Sequence, residues 1–302
     1  MNPLGANTWI WVSPLTDDRL ATLAPRIAGW GFDVVELPIE QLGDWDPDRA
    51  RALLDDLGLG ATTCAVMPAT RDLLADDPSI VAATGDYLRG CIDVAARVGA
   101  GVVAGPIYSA VGRTWLLDDE QRRVTIARLV ATLRPLAEDA ASRGIVLAME
   151  PLNRFETSLI NTVDQALEVV EAVDSAGLGI ALDTFHMSIE EKDPAMAIRK
   201  AGSRLAHVQA SGSDRGAPGN DHLDWRSIAA AIAEVGYTAP ICIESFTSEN
   251  HAIARAAAIW RPLERSQDAI ATDGIEFLRR LLADAPAHRT EAPGALAGGG
   301  AR

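Results

Sequence analysis

The sequence predicts a single (β/α)8 TIM barrel, an α/β fold in which eight parallel strands alternate with helices. Short apolar runs and long amphipathic stretches alternate eight times along the 302 residues. Eight such units fit one closed barrel better than two domains, and no Gly-x-Gly-x-x-Gly of a dinucleotide-binding open sheet follows the first strand. We expect the barrel to span residues 1–284 and the Ala-, Gly- and Pro-rich residues 285–302 to form a disordered tail.

The alternation predicts strands near residues 8–13, 33–37, 60–66, 101–106, 145–150, 178–183, 205–210 and 240–244. It predicts helices near residues 17–29, 47–57, 78–98, 118–143, 162–175, 194–201, 225–236 and 249–283. Glycines stand where six helices would end: Gly31, Gly58, Gly99, Gly144, Gly177 and Gly236. Residues 211–224 form a long polar segment after the seventh strand, where a lid or substrate loop is expected.

The composition argues against several classes of function. A net charge of −15 disfavours binding to a nucleic-acid backbone. We expect a cytoplasmic protein, because the N-terminus lacks a signal-peptide pattern and no apolar run is long enough to cross a membrane. Cys64, Cys91 and Cys242 are expected to be buried thiols. The two lysines, Lys192 and Lys200, end no strand, which leaves Schiff-base chemistry without a nucleophile.

Four predicted strands end in residues that can bind a divalent cation: Glu150, Asp183, the pair His207 and Gln209, and Glu244. A parallel barrel brings all its carboxyl strand ends to one face, so these side chains are expected to converge. Three converging carboxylates repel one another unless a cation lies between them. The sequence therefore predicts a single-metal enzyme.

Structural roles compete with this interpretation. Glu150 has Arg154 nearby as a partner for an ion pair, and Asp183 is well placed to cap the turn that follows it. His207 and Gln209 are two residues apart on one strand, so they share a face, and one of them is expected to reach the metal. In the long loop, Arg215 is either a substrate ligand or a solvated surface residue.

Paired carboxylates around a cation are suited to moving a proton at a carbon next to a carbonyl. The cation stabilises the oxygen that becomes negative, and one carboxylate on each face removes and returns the proton. Glu150 on the fifth strand and Glu244 on the eighth are the predicted pair.

The chain resembles the ketose 3-epimerases of the D-tagatose and D-psicose (allulose) type, within the xylose isomerase-like TIM barrels. The resemblance covers nearly the whole chain. It is carried by the runs Arg26-Ile-Ala-Gly-Trp-Gly-Phe-Asp33, Glu150-Pro-Leu-Asn-Arg-Phe-Glu156, Leu182-Asp-Thr-Phe-His-Met-Ser-Ile-Glu-Glu191, Ile243-Glu-Ser-Phe246 and Ile259-Trp-Arg-Pro262.

The resemblance implies roles for individual residues. Glu150 and Glu244 would be metal ligands and the catalytic acid–base pair, with Asp183 a third ligand. The oxygens of C1 to C3 of the ketose would be held by Glu156, His186 and Arg215, and the pocket would be lined by Cys64. The reaction would be C3 epimerisation of a free D-tagatose-, D-psicose- or D-fructose-type ketose through an enediolate.

One position departs from the epimerase pattern. These enzymes usually carry His-x-His after strand seven, the second histidine being the fourth ligand, whereas this chain has His207-Val-Gln209. Barrels similar to hydroxypyruvate isomerase carry His-x-Gln and use the glutamine as ligand. Gln209 is thus the expected fourth ligand of a divalent ion, Mn²⁺ first and Mg²⁺ or Co²⁺ as alternatives. It also makes aldose–ketose or hydroxypyruvate isomerisation the alternative activity.

Two further classes of function are alternatives to an isomerase. A nuclease resembling endonuclease IV would need a histidine-rich trinuclear site, which five histidines in an acidic chain disfavour. A non-catalytic sugar-binding protein would bind metal or sugar without exchanging protons with solvent. A last helix near Ile253–Pro262 would either pack against a second subunit, giving a homodimer or homotetramer, or close the barrel.

Overall fold

The computed structural model describes residues 1–284, in which eight parallel strands form a closed barrel. The strands are β1 (Leu4–Asn7), β2 (Val34–Ile39), β3 (Gly60–Ala65), β4 (Val102–Gly105), β5 (Val146–Met149), β6 (Leu178–Asp183), β7 (Leu205–Ala210) and β8 (Ile241–Ile243). Each strand pairs with its neighbours in sequence, and β8 returns to β1 through Cys242 opposite Gly5. The predicted fold class is confirmed, and the predicted tail lies outside the described residues.

Helices cover the outside of the barrel. They are α1 (Asp17–Gly29), α2 (Pro47–Leu57), α3 (Pro78–Val98), α4 (Asp119–Ser142), α5 (Val163–Val173), α6 (Thr184–Glu190), α7 (Pro194–Ala201), α8 (Trp225–Glu234), α9 (His251–Ala256) and α10 (Gln267–Asp284). Short 3-10 helices span Thr8–Ile10 and Gly202–Arg204. No helix in residues 1–284 is long and apolar enough to span a lipid bilayer.

Two predicted elements are wrong. The first strand lies at Leu4–Asn7, not at residues 8–13, because the Asn7 side chain accepts a hydrogen bond from Trp9 N and turns the chain into a 3-10 helix. The predicted helix 249–283 is two helices, α9 and α10, separated by a loop that contains Pro262. Helix α6 is an addition to the predicted elements.

Gly177 is required by packing and does not cap a helix. Helix α5 ends instead at Asp174, which adopts the left-handed conformation with φ 51°. A Cβ atom at position 177 would lie 2.0 Å from the carbonyl oxygen of Ala137 in α4, so only glycine fits there. The other five predicted glycines all have positive φ, as expected at helix ends.

Candidate active site

The carboxyl ends of β5 to β8 bring the predicted metal ligands to one end of the barrel. Glu150 follows β5, Asp183 ends β6, Gln209 lies in β7 and Glu244 follows β8. Asp183 is the register partner of Gln209. All four side chains are buried, and a polar cluster this deep needs internal partners.

Backbone contacts fix Glu150 at this rim. Its amide donates to the carbonyl of Gly105 at the end of β4, at 3.0 Å. Gly105 has φ 130°, and a Cβ atom there would lie 2.8 Å from the carbonyl oxygen of Ala65. The close approach of β3 and β4 next to Glu150 therefore depends on a glycine.

Two structural roles were possible for these carboxylates, an ion pair for Glu150 and a helix cap for Asp183, and only the cap is present. Arg154 pairs with Glu190, with its Nε 2.9 Å from Oε1, so the ion pair considered for Glu150 is wrong. Asp183 does cap α6, because its Oδ1 accepts from Phe185 N at 2.8 Å. The cap uses Oδ1 only, and Oδ2 faces the cluster, where Arg215 contacts it.

Arg215 is buried at the centre of this cluster, so the interpretation as a solvated surface arginine is wrong. Its Nη1 donates to Asp183 Oδ2 and, at 3.0 Å, to Glu244 Oε2. Its own backbone is held in the left-handed region, with φ 73°, and its carbonyl accepts from Ser245 Oγ. The segment 211–224, which contains no helix or strand, thus delivers a fixed cation to the strand ends.

His186 has a hydrogen-bond donor beside each ring nitrogen. Its Nδ1 faces the backbone N–H of Asn153 at 3.0 Å. Nε2 lies 3.6 Å from Glu150 Oε1 and 2.9 Å from Arg215 Nη2. A guanidinium nitrogen can only donate, and a neutral imidazole accepts at one nitrogen alone. These contacts hold the ring beside Glu150 without fixing which nitrogen carries the proton.

A second buried network, which the sequence did not predict as part of the site, lies next to Gln209. Gln209 Nε2 donates to Glu36 Oε2 at 3.1 Å and to Glu244 Oε1 at 2.9 Å. Glu36 also accepts from Asn7 Nδ2 at 2.8 Å, and its Oε1 lies 2.5 Å from His207 Nε2. The sequence signal for Glu36 is the same as that for Glu150, a carboxylate next to apolar residues of a strand. Glu36 lies inside the apolar run Val34-Val-Glu-Leu-Pro-Ile39.

His207 and Gln209 both contact Glu36, but they line different cavities. Gln209 lines the cavity at the carboxyl ends of the strands, whereas His207 lines a cavity near the starts of the strands. The amide oxygen Oε1 of Gln209 is buried and has no hydrogen-bond partner among the described residues. Of the two residues, Gln209 is the one with a free ligand atom at the cavity.

Burial and mutual repulsion shift the acidities in the cluster. Desolvation, followed by repulsion from Asp183, raises the pKa of Glu150 well above its usual value. Desolvation likewise raises the pKa of Glu244 well above its usual value, although Arg215 opposes the shift. Desolvation and Arg215 lower the pKa of His186 well below its usual value, which keeps the ring neutral.

Glu36 behaves differently from the carboxylates at the rim. Burial alone would raise its pKa, but attraction to His207 and hydrogen bonds from Gln209 and Asn7 lower the pKa below its usual value. Glu36 is therefore an ionised acceptor inside the barrel.

The cluster opens into a cavity of about 420 Å³. Its polar lining includes Glu150, Glu156, His186, Gln209, Arg215 and Glu244, and Cys64 also lines it. Trp9, Phe246 and Ile253 form part of an apolar wall. The segment Ile253–Pro262 is not one helix, because α9 ends at Ala256, and its Ile253, Ala256 and Ala257 line this cavity.

The fold and the site can be compared with known proteins. The family model described as xylose isomerase-like TIM barrel matches residues 25–281. The L-ribulose 3-epimerase of Methylomonas sp. is 33% identical over 91% of this chain and 96% of its own. The ketose 3-epimerase of Arthrobacter globiformis is 30% identical over 91% of this chain and 95% of its own.

A solved structure agrees with these relatives. The D-allulose 3-epimerase of Methylomonas sp. in complex with D-allulose superposes with a TM-score of 0.86 and 30% identity, over 92% of this chain and 96% of that one. The chain belongs to the xylose isomerase-like TIM barrel family and, within it, to the ketose 3-epimerases. It is therefore an isomerase.

Proposed function

We propose that this protein is a divalent-metal-dependent epimerase that inverts C3 of a free ketose of the D-tagatose, D-psicose or D-fructose type. The observation that carries the proposal is the buried cluster of Glu150, Asp183 and Glu244 around one end of the cavity, with the unpartnered oxygen of Gln209 beside it. The relatives named ketose, L-ribulose and D-allulose 3-epimerase support the choice of reaction.

The residues present fit a divalent cation. Ligand atoms of Glu150, Asp183 and His186 lie within 4.8 Å of one another, and Gln209 Oε1 is a buried acceptor without a donor. Glu150, Asp183, Gln209 and Glu244 would form an all-oxygen ligand set, which suits Mn²⁺ first and Mg²⁺ or Co²⁺ as alternatives. When bound, the ion would supply the positive charge that stabilises the substrate oxygen as the carbon loses its proton.

Glu150 and Glu244 are the proposed acid–base pair. Inversion requires that one carboxylate take a proton from C3 while the other returns one to the opposite face. Burial raises the pKa of both carboxyls, so that either of them can hold a proton at neutral pH more readily than an exposed glutamate. The pair thus supplies a base and an acid in the same cavity.

His186, Arg215 and Glu156 are proposed to orient the ketose. The side chains of His186 and Arg215 converge beside Glu150, where they would contact the oxygens of the substrate. Glu156, which is held by Asn153 at 2.8 Å, would accept from a substrate hydroxyl. Cys64 would pack against the sugar as a neutral thiol, because burial raises its pKa well above the usual value.

A free sugar is favoured over a sugar phosphate. The cavity lining formed by residues 1–284 contains no lysine, and its one arginine is already engaged by Asp183 and Glu244. A homodimer or homotetramer remains a prediction, which light scattering of the purified protein would test.

Isotope exchange tests the reaction and its alternative together. The metal-loaded protein would be incubated with D-psicose, D-fructose, D-tagatose and hydroxypyruvate in buffered D₂O, and the recovered compounds examined by NMR. Deuterium at C3 of a ketose is the expected result. Deuterium at C1 or C2 alone would favour aldose–ketose or hydroxypyruvate isomerisation, which Gln209 motivates. Binding without any exchange would contradict both.

A further inference from the structure

We infer that Glu36 is a positioning residue that holds the amide of Gln209 with its oxygen toward the metal. The inference rests on the proposed function, in which Gln209 is a ligand. Glu36 lies in β2, and its side chain is fully buried.

A glutamine ligand has a problem that a histidine or carboxylate ligand lacks. Its side chain ends in an oxygen and an NH₂ group of nearly equal size, and only the oxygen binds a cation. A half-turn about the last bond would present two N–H donors to the metal. Some neighbour must therefore distinguish the two orientations.

Glu36 provides that distinction. Glu36 Oε2 accepts from the amide nitrogens of both Asn7 and Gln209, and Glu244 Oε1 lies 2.9 Å from the same Gln209 nitrogen. Reversing the amide would place its oxygen against two carboxylate oxygens. The orientation with Oε1 away from Glu36 is fixed by this chemistry, and Oε1 is the atom without a partner.

Neighbouring side chains hold Glu36 in place, whereas Glu244 has proposed roles in metal binding and proton transfer. Asn7 and His207 contact the two oxygens of Glu36, and Asn7 is fixed in turn by its cap on Trp9 N. Glu244 is a proposed ligand and base, so its oxygens are needed at the metal and the substrate. Glu36 remains as the dedicated acceptor for the amide.

The test measures, by calorimetry, the Mn²⁺ affinity of the metal-free protein in two backgrounds, the natural sequence and the Gln209→Glu variant. In the natural background, Glu36→Met should weaken binding by about tenfold or more, as loss of an outer-shell partner commonly does. In the Gln209→Glu background the ligand is a symmetric carboxylate that needs no orientation. There, Glu36→Met removes only a negative charge near the site and should weaken binding by less than it does in the natural background.

This difference between the two backgrounds separates positioning from a structural role and from the loss of a charge. Weaker binding by the same factor in both backgrounds would overturn the inference. If Glu36→Met does not fold, as judged by circular dichroism, Glu36→Leu replaces it, since leucine also lacks an acceptor. It should likewise weaken binding more in the natural background than in the Gln209→Glu background, and an equal loss in both would overturn the inference.

Gln209→Ala distinguishes failure of the inference from failure of its basis. If Gln209→Ala leaves Mn²⁺ affinity unchanged, Gln209 is not a ligand, and the ligand set of the proposed function and this inference both fail. If Gln209→Ala weakens binding while Glu36→Met does not, only the role of Glu36 is refuted.

Discussion

Arg215 and Glu244 form a buried ion pair at the carboxyl end of the barrel, with Nη1 3.0 Å from Oε2 and side chains 6% and 5% exposed. The same guanidinium nitrogen contacts Asp183. Two of the carboxylates proposed as metal ligands are therefore already balanced by a cation from the protein. A metal ion would share these oxygens with Arg215 or release it toward the substrate.

Arg215→Ala should destabilise the metal-free protein by about 3 kcal/mol, because it leaves buried carboxylates without their counter-charge. Added Mn²⁺ should then stabilise the variant more than it stabilises the natural protein. Denaturant unfolding with and without metal measures both effects. Arg154→Ala is the matched control, since that ion pair with Glu190 has a largely exposed arginine and should matter much less. If Mn²⁺ stabilises the Arg215 variant and the natural protein equally, Arg215 and the metal do not balance the charge of the same carboxylates.

Glu150→Gln and Glu244→Gln should each reduce turnover by about 100-fold or more, because each removes a base and a ligand charge. Steady-state rates on a ketose at saturating metal test this. Turnover near the natural level in either variant would refute the two-base assignment. Circular dichroism spectra that match the natural protein would serve as the control for folding.

Gln209→Ala should lower Mn²⁺ affinity by at least about tenfold. Loss of a ligand should cost at least as much as loss of an outer-shell partner, which already costs about tenfold or more. Gln209→His should keep or raise it, since an imidazole nitrogen replaces the amide oxygen as ligand. Titration of the metal-free variants decides both points. A Gln209→His variant that no longer binds metal would show that the site requires an oxygen at this position.

The raised pKa values of Glu150 and Glu244 predict how stability depends on pH. A carboxyl whose pKa is higher in the folded than in the unfolded state keeps its proton longer when folded. Its stabilising contribution is complete below the unfolded pKa and is lost as the pH rises through the folded pKa. The metal-free protein should therefore lose stability from this source above the ordinary carboxyl value of 4.5.

The measurement is the difference between natural protein and Glu150→Gln, unfolded in chelator between about pH 5 and pH 8. The variant should lose less stability as the pH rises. His186 has the opposite effect, because its lowered pKa costs stability as the pH falls. Both proteins contain His186, so this effect is reduced when their stabilities are subtracted. Parallel profiles for the two proteins would mean that Glu150 titrates as an ordinary carboxyl.

Glu150 and Glu244 were predictable because a carboxylate at the end of an apolar strand has few structural explanations. The same pattern marks Glu36, but its position inside β2 gives no hint of which side chains it meets. Nothing in the order Glu36, His207, Gln209 shows that the first contacts the other two across the barrel. The first strand was misplaced because one hydrogen bond from Trp9 N to Asn7 outweighs the apolar pattern of residues 8–13.

The periodicity of the chain determines the barrel by itself, because alternating strands and helices have few ways to bury their apolar faces. It also determines that acidic residues meet at one end, because parallel strands all point the same way. The tertiary structure alone decided that Arg215 is inside the cluster, that His186 lies between Asn153 and Arg215, and that the amide of Gln209 faces Glu36 with its nitrogen. Each of these depends on distances between residues that are 29 or more positions apart, which no local pattern encodes.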